Sequence, residues 1–333
     1  MFCMLSLYSI LKKLNKRVRK FFCSPYHQYV HNQEQLQAQA TYQIQFYNFW
    51  SQPNEKMYWH QFIEAKHLLP LDKTVAIFSV FGSRSLIRKV KADVKIFYSA
   101  ENVHRAVFSQ YADHALGEDS IDLAMGFDVL DNPRYIRFPL WPVYMFPADS
   151  SEDAIRAKCQ QLRFPNLEGK KKFCCMVASN SADGLRGEMF NTLLQIAHVD
   201  SAGRYLHNDD SLQNEFADNK QDYLKNYYFN ICPENTSSYG YTTEKLFEAI
   251  SCGCIPVYWG AEFADKAVIN EAAVIRWNRD DNGASALRQI RELYVNPESL
   301  KEFLSQPRLL PTAEEYILDT FATIESRLRD ILQ

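Results

Sequence analysis

The sequence predicts an α/β protein made of two successive halves, each assembled around a parallel sheet. Short apolar runs of strand length recur between segments of helix length, which is the pattern of β-α-β units. A polar, basic connector from Pro165 to Lys172 separates one such series from a second. The length agrees, because 333 residues suit two domains of about 150 residues each.

Residues 31–65 are rich in Gln, Tyr, Phe and Trp and show little periodicity. From Thr74 to Phe81 an apolar run reads as a buried strand ending at Gly82. Val94 to Tyr98 reads as a second strand, and Leu123 to Phe127 as a third. Asn132-Pro133 and the prolines at 139 and 142 then interrupt the chain. Residues 150–164 read as a helix starting after Ser150 or Ser151, with acids in its first turn. In the second series Lys172 to Ala178 is a strand and Glu188 to Ala197 an amphipathic helix. Tyr227 to Cys232 is a strand, Thr243 to Cys252 a helix, and Ile255 to Trp259 a strand closed by Gly260. Residues 313–333 read as one mixed-charge helix. Such halves place a ligand crevice at the carboxyl ends of their strands.

Composition narrows the function. With 37 Lys and Arg against 40 Asp and Glu, the chain lacks the basic excess of a dedicated nucleic-acid binder. The imbalance is local: residues 1–22 carry Lys12, Lys13, Lys16, Arg17, Arg19 and Lys20 and no acid. The apolar run before these cations is too short to cross a bilayer and has the wrong charge order for a secretory signal. Two readings stay open for it: a surface helix resting on anionic lipid, or a solvated terminus. The eight cysteines form no C-x-x-C pair and have no His at ligand spacing, so buried reduced thiols are expected and structural zinc is not. Asp209-Asp210 and Asp280-Asp281 read as solvated loop acids. No G-x-G-x-x-G follows a strand, which argues against a dinucleotide oxidoreductase.

The stretch from Tyr228 to Ala249 carries the chemistry, reading strand, polar loop, helix. Thr242 or Thr243 is an N-cap candidate, so the helix presents free backbone N–H groups and its positive dipole end to the loop. Lys245 in the first turn adds a formal charge, and such an end suits phosphate. Glu244 beside it suits a sugar hydroxyl or a developing cation, although a capped helix with Glu and Lys facing water satisfies the same pattern. Asn235-Thr236-Ser237 fits a glycosylation sequon, yet it lies inside this loop, and modification is not expected.

This segment, continued through Cys254-Ile-Pro-Val-Tyr-Trp-Gly260, resembles the signature of the alpha-1,3-fucosyltransferases, the bacterial members above all. The resemblance extends to Ile96–Val103, to Ala124–Asp128 with Tyr135–Leu140, to Val177–Asn180 with Arg186, and to Val199–Arg204, in family order. It implies two Rossmann-like domains in the glycosyltransferase type B architecture. Residues 31–165 would bind the acceptor and residues 166–333, with the terminal helix, the GDP-sugar, behind a basic segment at 1–30. The implied reaction moves L-fucose from GDP-fucose to an acceptor hydroxyl with inversion. The expected acceptor is the 3-hydroxyl of N-acetylglucosamine in an N-acetyllactosamine-type glycan, giving Lewis-x-type products of the kind found on lipopolysaccharide.

The resemblance also assigns roles. Glu101 matches the family's base, and Arg186 and Lys245 its phosphate-binding positions. Glu244 matches the residue that stabilises the oxocarbenium-like sugar, and Tyr241 and Asn235 match donor contacts. No metal or other cofactor is expected, since cations already meet the leaving phosphate. Pro233 departs from the pattern, standing where relatives have Phe, and the basic C-terminal tail of some bacterial relatives has no counterpart. A cytoplasmic enzyme is expected, with residues 1–22 a candidate contact with the inner membrane. The competing readings are a transferase of the same fold using another GDP-sugar, and a nucleotide-sugar-binding protein without turnover.

Overall fold

The computed structural model describes residues 43–49 and 53–333; the basic segment at 1–22 therefore lies outside the described residues. Two five-stranded sheets organise the chain, and every strand pair in both is parallel. The first sheet runs in chain order: β1 (Ile44–Tyr47), β2 (Val75–Phe78), β3 (Val94–Tyr98), β4 (Leu123–Gly126) and β5 (Tyr135–Arg137). Its central strands β2, β3 and β4 are buried at every residue, which explains sequences that are apolar apart from Lys95 in β3, whose Nζ donates to the Ile87 carbonyl at 2.7 Å. The outer strands read less clearly. β1 is buried only at its ends, and its sequence Ile-Gln-Phe-Tyr carries no apolar run. A helix, α1 (Tyr58–Ala65), follows it where the sequence shows little periodicity, and buries Trp59, Phe62 and Ile63.

The second sheet has the order β10-β9-β8-β6-β7, formed by β6 (Lys172–Met176), β7 (Val199–Ser201), β8 (Tyr227–Ile231), β9 (Ile255–Tyr258) and β10 (Ile275–Arg276). β6 and β8 are neighbours, but the chain leaves β6 toward β7 on one side and leaves β8 toward β9 on the other. Their two exit loops diverge, and this is the topological switch point at which such sheets hold ligands.

Two helices adjoin that point. α2 (Leu185–Leu193) follows β6, and α3 (Glu244–Ser251) follows β8. α2 starts three residues earlier than the sequence suggests, because Gly184 takes φ 88° and turns the chain into the helix. Ala182 and Asp183 are also left-handed, at φ 47° and 54°, so the turn just before Arg186 is strained.

The halves are joined by a helical layer. α4 (Trp141–Met145) follows the first sheet and packs on α3, with the Trp141 and Phe247 rings stacked 4.0 Å apart. α5 (Glu152–Arg163) starts at Ser151, whose side chain accepts from the Ala154 N–H as the sequence leads one to expect. The last helix, α6 (Ala313–Leu332), lies along α5 and reaches the first half, where Phe321 meets Phe62, Phe138 and Phe146. One apolar cluster therefore runs through both halves, including Ile63, Met125, Leu162, Phe247 and Ile324. All six described cysteines are free and buried. Asp209 is not a plain solvated acid: it accepts from the Tyr223 hydroxyl at 2.9 Å and from Ser211, which holds its carboxyl below the usual range against the pull of burial.

Candidate active site

The segments after β3, β6 and β8 supply the candidate residues. Arg186 opens α2 and is only 5% exposed. Its Nη1 donates to the Asn180 carbonyl at 3.0 Å and to Asn180 Oδ1 at 2.6 Å, and its Nη2 donates to Asn235 Oδ1 at 2.9 Å. These partners are neutral, so within the described residues the guanidinium is fixed by amides without an ion pair. Burial pulls its pKa down, opposed by the nearby Glu234 and Glu244. A held but unneutralised Arg at a crevice is the arrangement that receives a phosphate through its fork.

Lys245 lies in the first turn of α3, and the two cations are close enough to disfavour each other. Its Nζ lies 3.0 Å from Thr243 Oγ1, 3.2 Å from Glu244 Oε1 and 3.6 Å from Glu234 Oε2. Burial alone would lower its pKa, but the two carboxylates outweigh burial and raise it, so the ammonium is firmly charged. Thr243 is the N-cap, but its side chain caps nothing. Instead, its N–H and hydroxyl both donate to Glu234, at 2.7 and 2.6 Å. The first-turn amides beyond Thr243 carry no side-chain cap, leaving the positive helix end facing the crevice.

Glu234 is the residue that sequence reasoning passed over. It is fully buried, and besides Thr243 it accepts from the Tyr258 hydroxyl at 3.2 Å. Its own N–H donates to the Trp259 carbonyl at 2.8 Å, continuing the β8–β9 ladder into the loop. An acid three residues past the apolar strand β8, after buried Cys232 and Pro233, is the available signal, since such an acid must find buried partners.

Glu101 comes from the other sheet, three residues past β3. Its side chain is 27% exposed and its Oε2 lies 3.9 Å from Arg105 Nη1. Burial raises its pKa, with Arg105 and Lys245 acting against the shift and Glu244 adding to it. Glu101 thus sits within electrostatic reach of the first turn of α3, across the crevice. A partly desolvated carboxylate beside open space is suited to take a proton near neutral pH. Tyr144 on α4 is 56% exposed and feels Glu244, Glu248, Lys245 and Glu101.

Glu101, Glu244, Arg186, Asn235 and Lys245 thus gather at one crevice. Tyr241 is placed differently: it is 4% exposed, with its ring packed edge-on against Phe127 at 5.1 Å, so most of it belongs to the core between the halves. Next to it Gly240 has φ 74°, and a Cβ there would meet Arg137 Nη1 at 2.9 Å and the Phe127 carbonyl at 3.0 Å. Only glycine satisfies both demands. Pro233 is buried where the strand turns into the loop. No group of three or more His, Cys, Asp or Glu among the described residues is placed to hold a metal ion.

Two parallel-sheet domains, one bringing a carboxylate and the other cations to the same region, form the type B architecture of glycosyltransferases. Residues 44–144 match the alpha-(1,3)-fucosyltransferase FucT N-terminal domain, and residues 167–309 match the glycosyltransferase family 10 (fucosyltransferase) C-terminal domain. The chain belongs to this fucosyltransferase family. It is 29% identical over 252 residues to the alpha-(1,3)-fucosyltransferase FucT of Helicobacter pylori, covering 67% of this chain and 49% of that protein. The chain thus spans about half the length of that relative. Its fold matches a crystal structure of an alpha1,3-fucosyltransferase with a TM-score of 0.58 and 22% identity, covering 86% of this chain and 92% of the other. A structure described as alpha1,3-fucosyltransferase with GDP-fucose matches with a TM-score of 0.55 at 22% identity, over 85% and 89% of the two chains.

Proposed function

We propose that the protein is an inverting alpha-1,3-fucosyltransferase that moves L-fucose from GDP-fucose to the 3-hydroxyl of N-acetylglucosamine in an N-acetyllactosamine-type acceptor. One observation carries the reading: a carboxylate from the first sheet, Glu101, lies within electrostatic reach of Lys245 from the second, and Lys245 in turn lies near Arg186. Family membership and the GDP-fucose complex of a structural relative support the choice of donor.

The residues divide the work of a single displacement. Glu101 takes the acceptor proton as the hydroxyl oxygen bonds to the anomeric carbon. The bond from that carbon to the β-phosphate oxygen breaks, and GDP leaves with the electron pair. Arg186, Lys245 and the amides of α3 hold the charge that develops on the phosphate. Glu244, ion-paired to Lys245, stabilises the electron-poor sugar. Asn235 holds the Arg186 fork at 2.9 Å and completes the donor wall with the edge of Tyr241. The first half then binds the acceptor and the second half the GDP-sugar. Because positive charge at the phosphate comes from side chains, turnover without added metal is expected. The cationic residues 1–22 supply a contact with the anionic inner membrane, which would place the enzyme at the cytoplasmic site of lipopolysaccharide-type glycan assembly.

GDP release from GDP-fucose, with and without N-acetyllactosamine and in EDTA, tests the reading. Acceptor-dependent release that Glu101→Gln abolishes supports it. Release with a different GDP-sugar alone would correct the donor, and absence of GDP binding would remove the reading altogether. Sedimentation with anionic liposomes at low salt, compared with protein lacking residues 1–22, tests the membrane contact.

A further inference from the structure

Asn102, next to Glu101, joins the two walls of the crevice. Its side chain is buried, 2% exposed, beside the half-buried Glu101. Both amide hydrogens are used across the crevice: Nδ2 donates to Thr236 Oγ1 and to Ser238 Oγ, each at 2.8 Å. The remaining acceptor, Oδ1, receives the His104 N–H at 3.0 Å and so shapes the turn of its own loop. Both polar atoms of the amide group are therefore committed in three hydrogen bonds, and two of the three leave the first half for the second.

The partners lie on the loop that carries the donor contacts. Thr236 follows Asn235, which holds Arg186, and Ser238 accepts from the Tyr241 N–H through its carbonyl at 2.9 Å. One amide thus connects the carboxylate on one wall, at the preceding residue, to the guanidinium on the other wall through Thr236 and Asn235. Other links between the halves lie behind the crevice, as with Trp141 on Phe247 and Arg137 on Asp265. These fix how the domains dock, and Arg137 also holds the far end of the donor loop through the Gly240 carbonyl at 3.1 Å. Asn102 instead ties that loop to the loop that carries Glu101.

We propose that Asn102 is a positioning residue that couples the donor loop, residues 235–241, to the base loop, residues 101–105, so that filling the donor site sets Glu101 for the acceptor. The inference rests on the fucosyltransferase reading for its consequence in turnover, but the coupling itself needs only nucleotide binding. Neither hydroxyl partner is charged, and the tether is short, so a loop shift of about 1 Å breaks it. Misplacement of that size at a reacting group costs about a hundredfold in rate.

The test uses the full chain with GDP, GDP-fucose and N-acetyllactosamine. Asn102→Ala removes the tether from one side, and Thr236→Val with Ser238→Ala removes it from the other. Each set lowers kcat by about tenfold to a hundredfold while GDP affinity stays within about twofold. Combined, they lose no more than either alone, because one interaction is removed twice. Amide hydrogen exchange supplies the readout that a merely structural role would not move. In the unmodified protein GDP slows exchange in residues 101–105 as well as 235–241; in either variant it slows 235–241 only. Should the Asn102 variant fail to fold, the loop-side variant carries the same comparison. Unchanged kcat, additive losses, or equal protection of 101–105 in all forms would each overturn the proposal. If the unmodified protein binds GDP and shows tether-dependent protection but transfers no fucose, the functional reading fails and the coupling stands. If it transfers fucose and the variants match it, only the coupling fails.

Discussion

The buried carboxylate of Glu234 stands 3.6 Å from the Lys245 ammonium, beneath the positive end of α3. It also takes the Thr243 N–H that would otherwise point at the crevice, so the helix end is anchored from below by an anion and open above. Its full burial raises its pKa, while Lys245 and the Thr243 bonds pull the other way. Glu234→Ala leaves the Thr243 N–H, the Tyr258 hydroxyl and part of the Lys245 charge without a partner. Losing one member of a buried pair costs about 3–5 kcal/mol. Urea denaturation is expected to show a loss of that order. Glu234→Gln, which still offers an acceptor to Thr243, loses distinctly less, and equal losses would contradict this account.

Arg186 is held by two asparagines and no acid, which leaves its charge unneutralised for a diphosphate. Arg186→Lys keeps a charge but cannot reach Asn180 and Asn235 together. The expected fall in kcat/KM corresponds to about 2–4 kcal/mol of lost transition-state stabilisation. The loss should appear mainly in kcat, because the charge it meets develops as GDP leaves. A loss confined to the KM for acceptor would place Arg186 elsewhere in the reaction.

Glu101 must be ionised to accept a proton, and its pKa lies above the usual 4.5 because the side chain is partly buried. Activity therefore rises with pH through that raised value and levels off above it. Arg105, 3.9 Å away, opposes the shift, so Arg105→Ala moves the acid limb of kcat/KM to higher pH and Arg105→Lys restores much of it. In stability the sign is opposite. A carboxyl with a raised folded-state pKa binds more protons folded than unfolded, so its contribution is present at low pH and is lost as pH rises through the shifted value. Glu101→Gln should remove both the acid limb and that pH-dependent part of the stability.

The central strands of both sheets are legible because burial on two faces writes a continuous apolar run, as in β2 and β9. The edge strand β1 escapes because one flank and half its side chains are not buried, and β5, at three residues, is too short to show a period. The site is legible where one loop holds several of its members, Asn235 to Lys245. Glu234 and Asn102 are not, because their roles arise from contacts with Tyr258, Thr236 and Ser238 that only the packed sheets create. Arg186 reads as a solvated first-turn residue until the turn at 182–184 tucks it under the Asn235 loop.

Asp265 closes the back of the crevice. It is 1% exposed and accepts from Arg137 at 3.0 and 2.8 Å, from the Trp141 indole at 3.2 Å and from the Tyr316 hydroxyl at 3.3 Å. Through it, β5, α4 and α6 are tied to the segment after β9. Arg137 also donates to the Gly240 carbonyl at 3.1 Å, so the same ion pair steadies the signature loop. Asp265→Ala strands a buried guanidinium and two further donors, for which a loss of about 3–5 kcal/mol is expected. Since the pair links domain docking to the loop, thermal unfolding should begin at lower temperature, and GDP should recover less of the lost stability than it adds to the unmodified protein. GDP that restores the full difference would show that loop and docking are independent. Asp265→Asn, which keeps an acceptor but not the charge, should fall between the two.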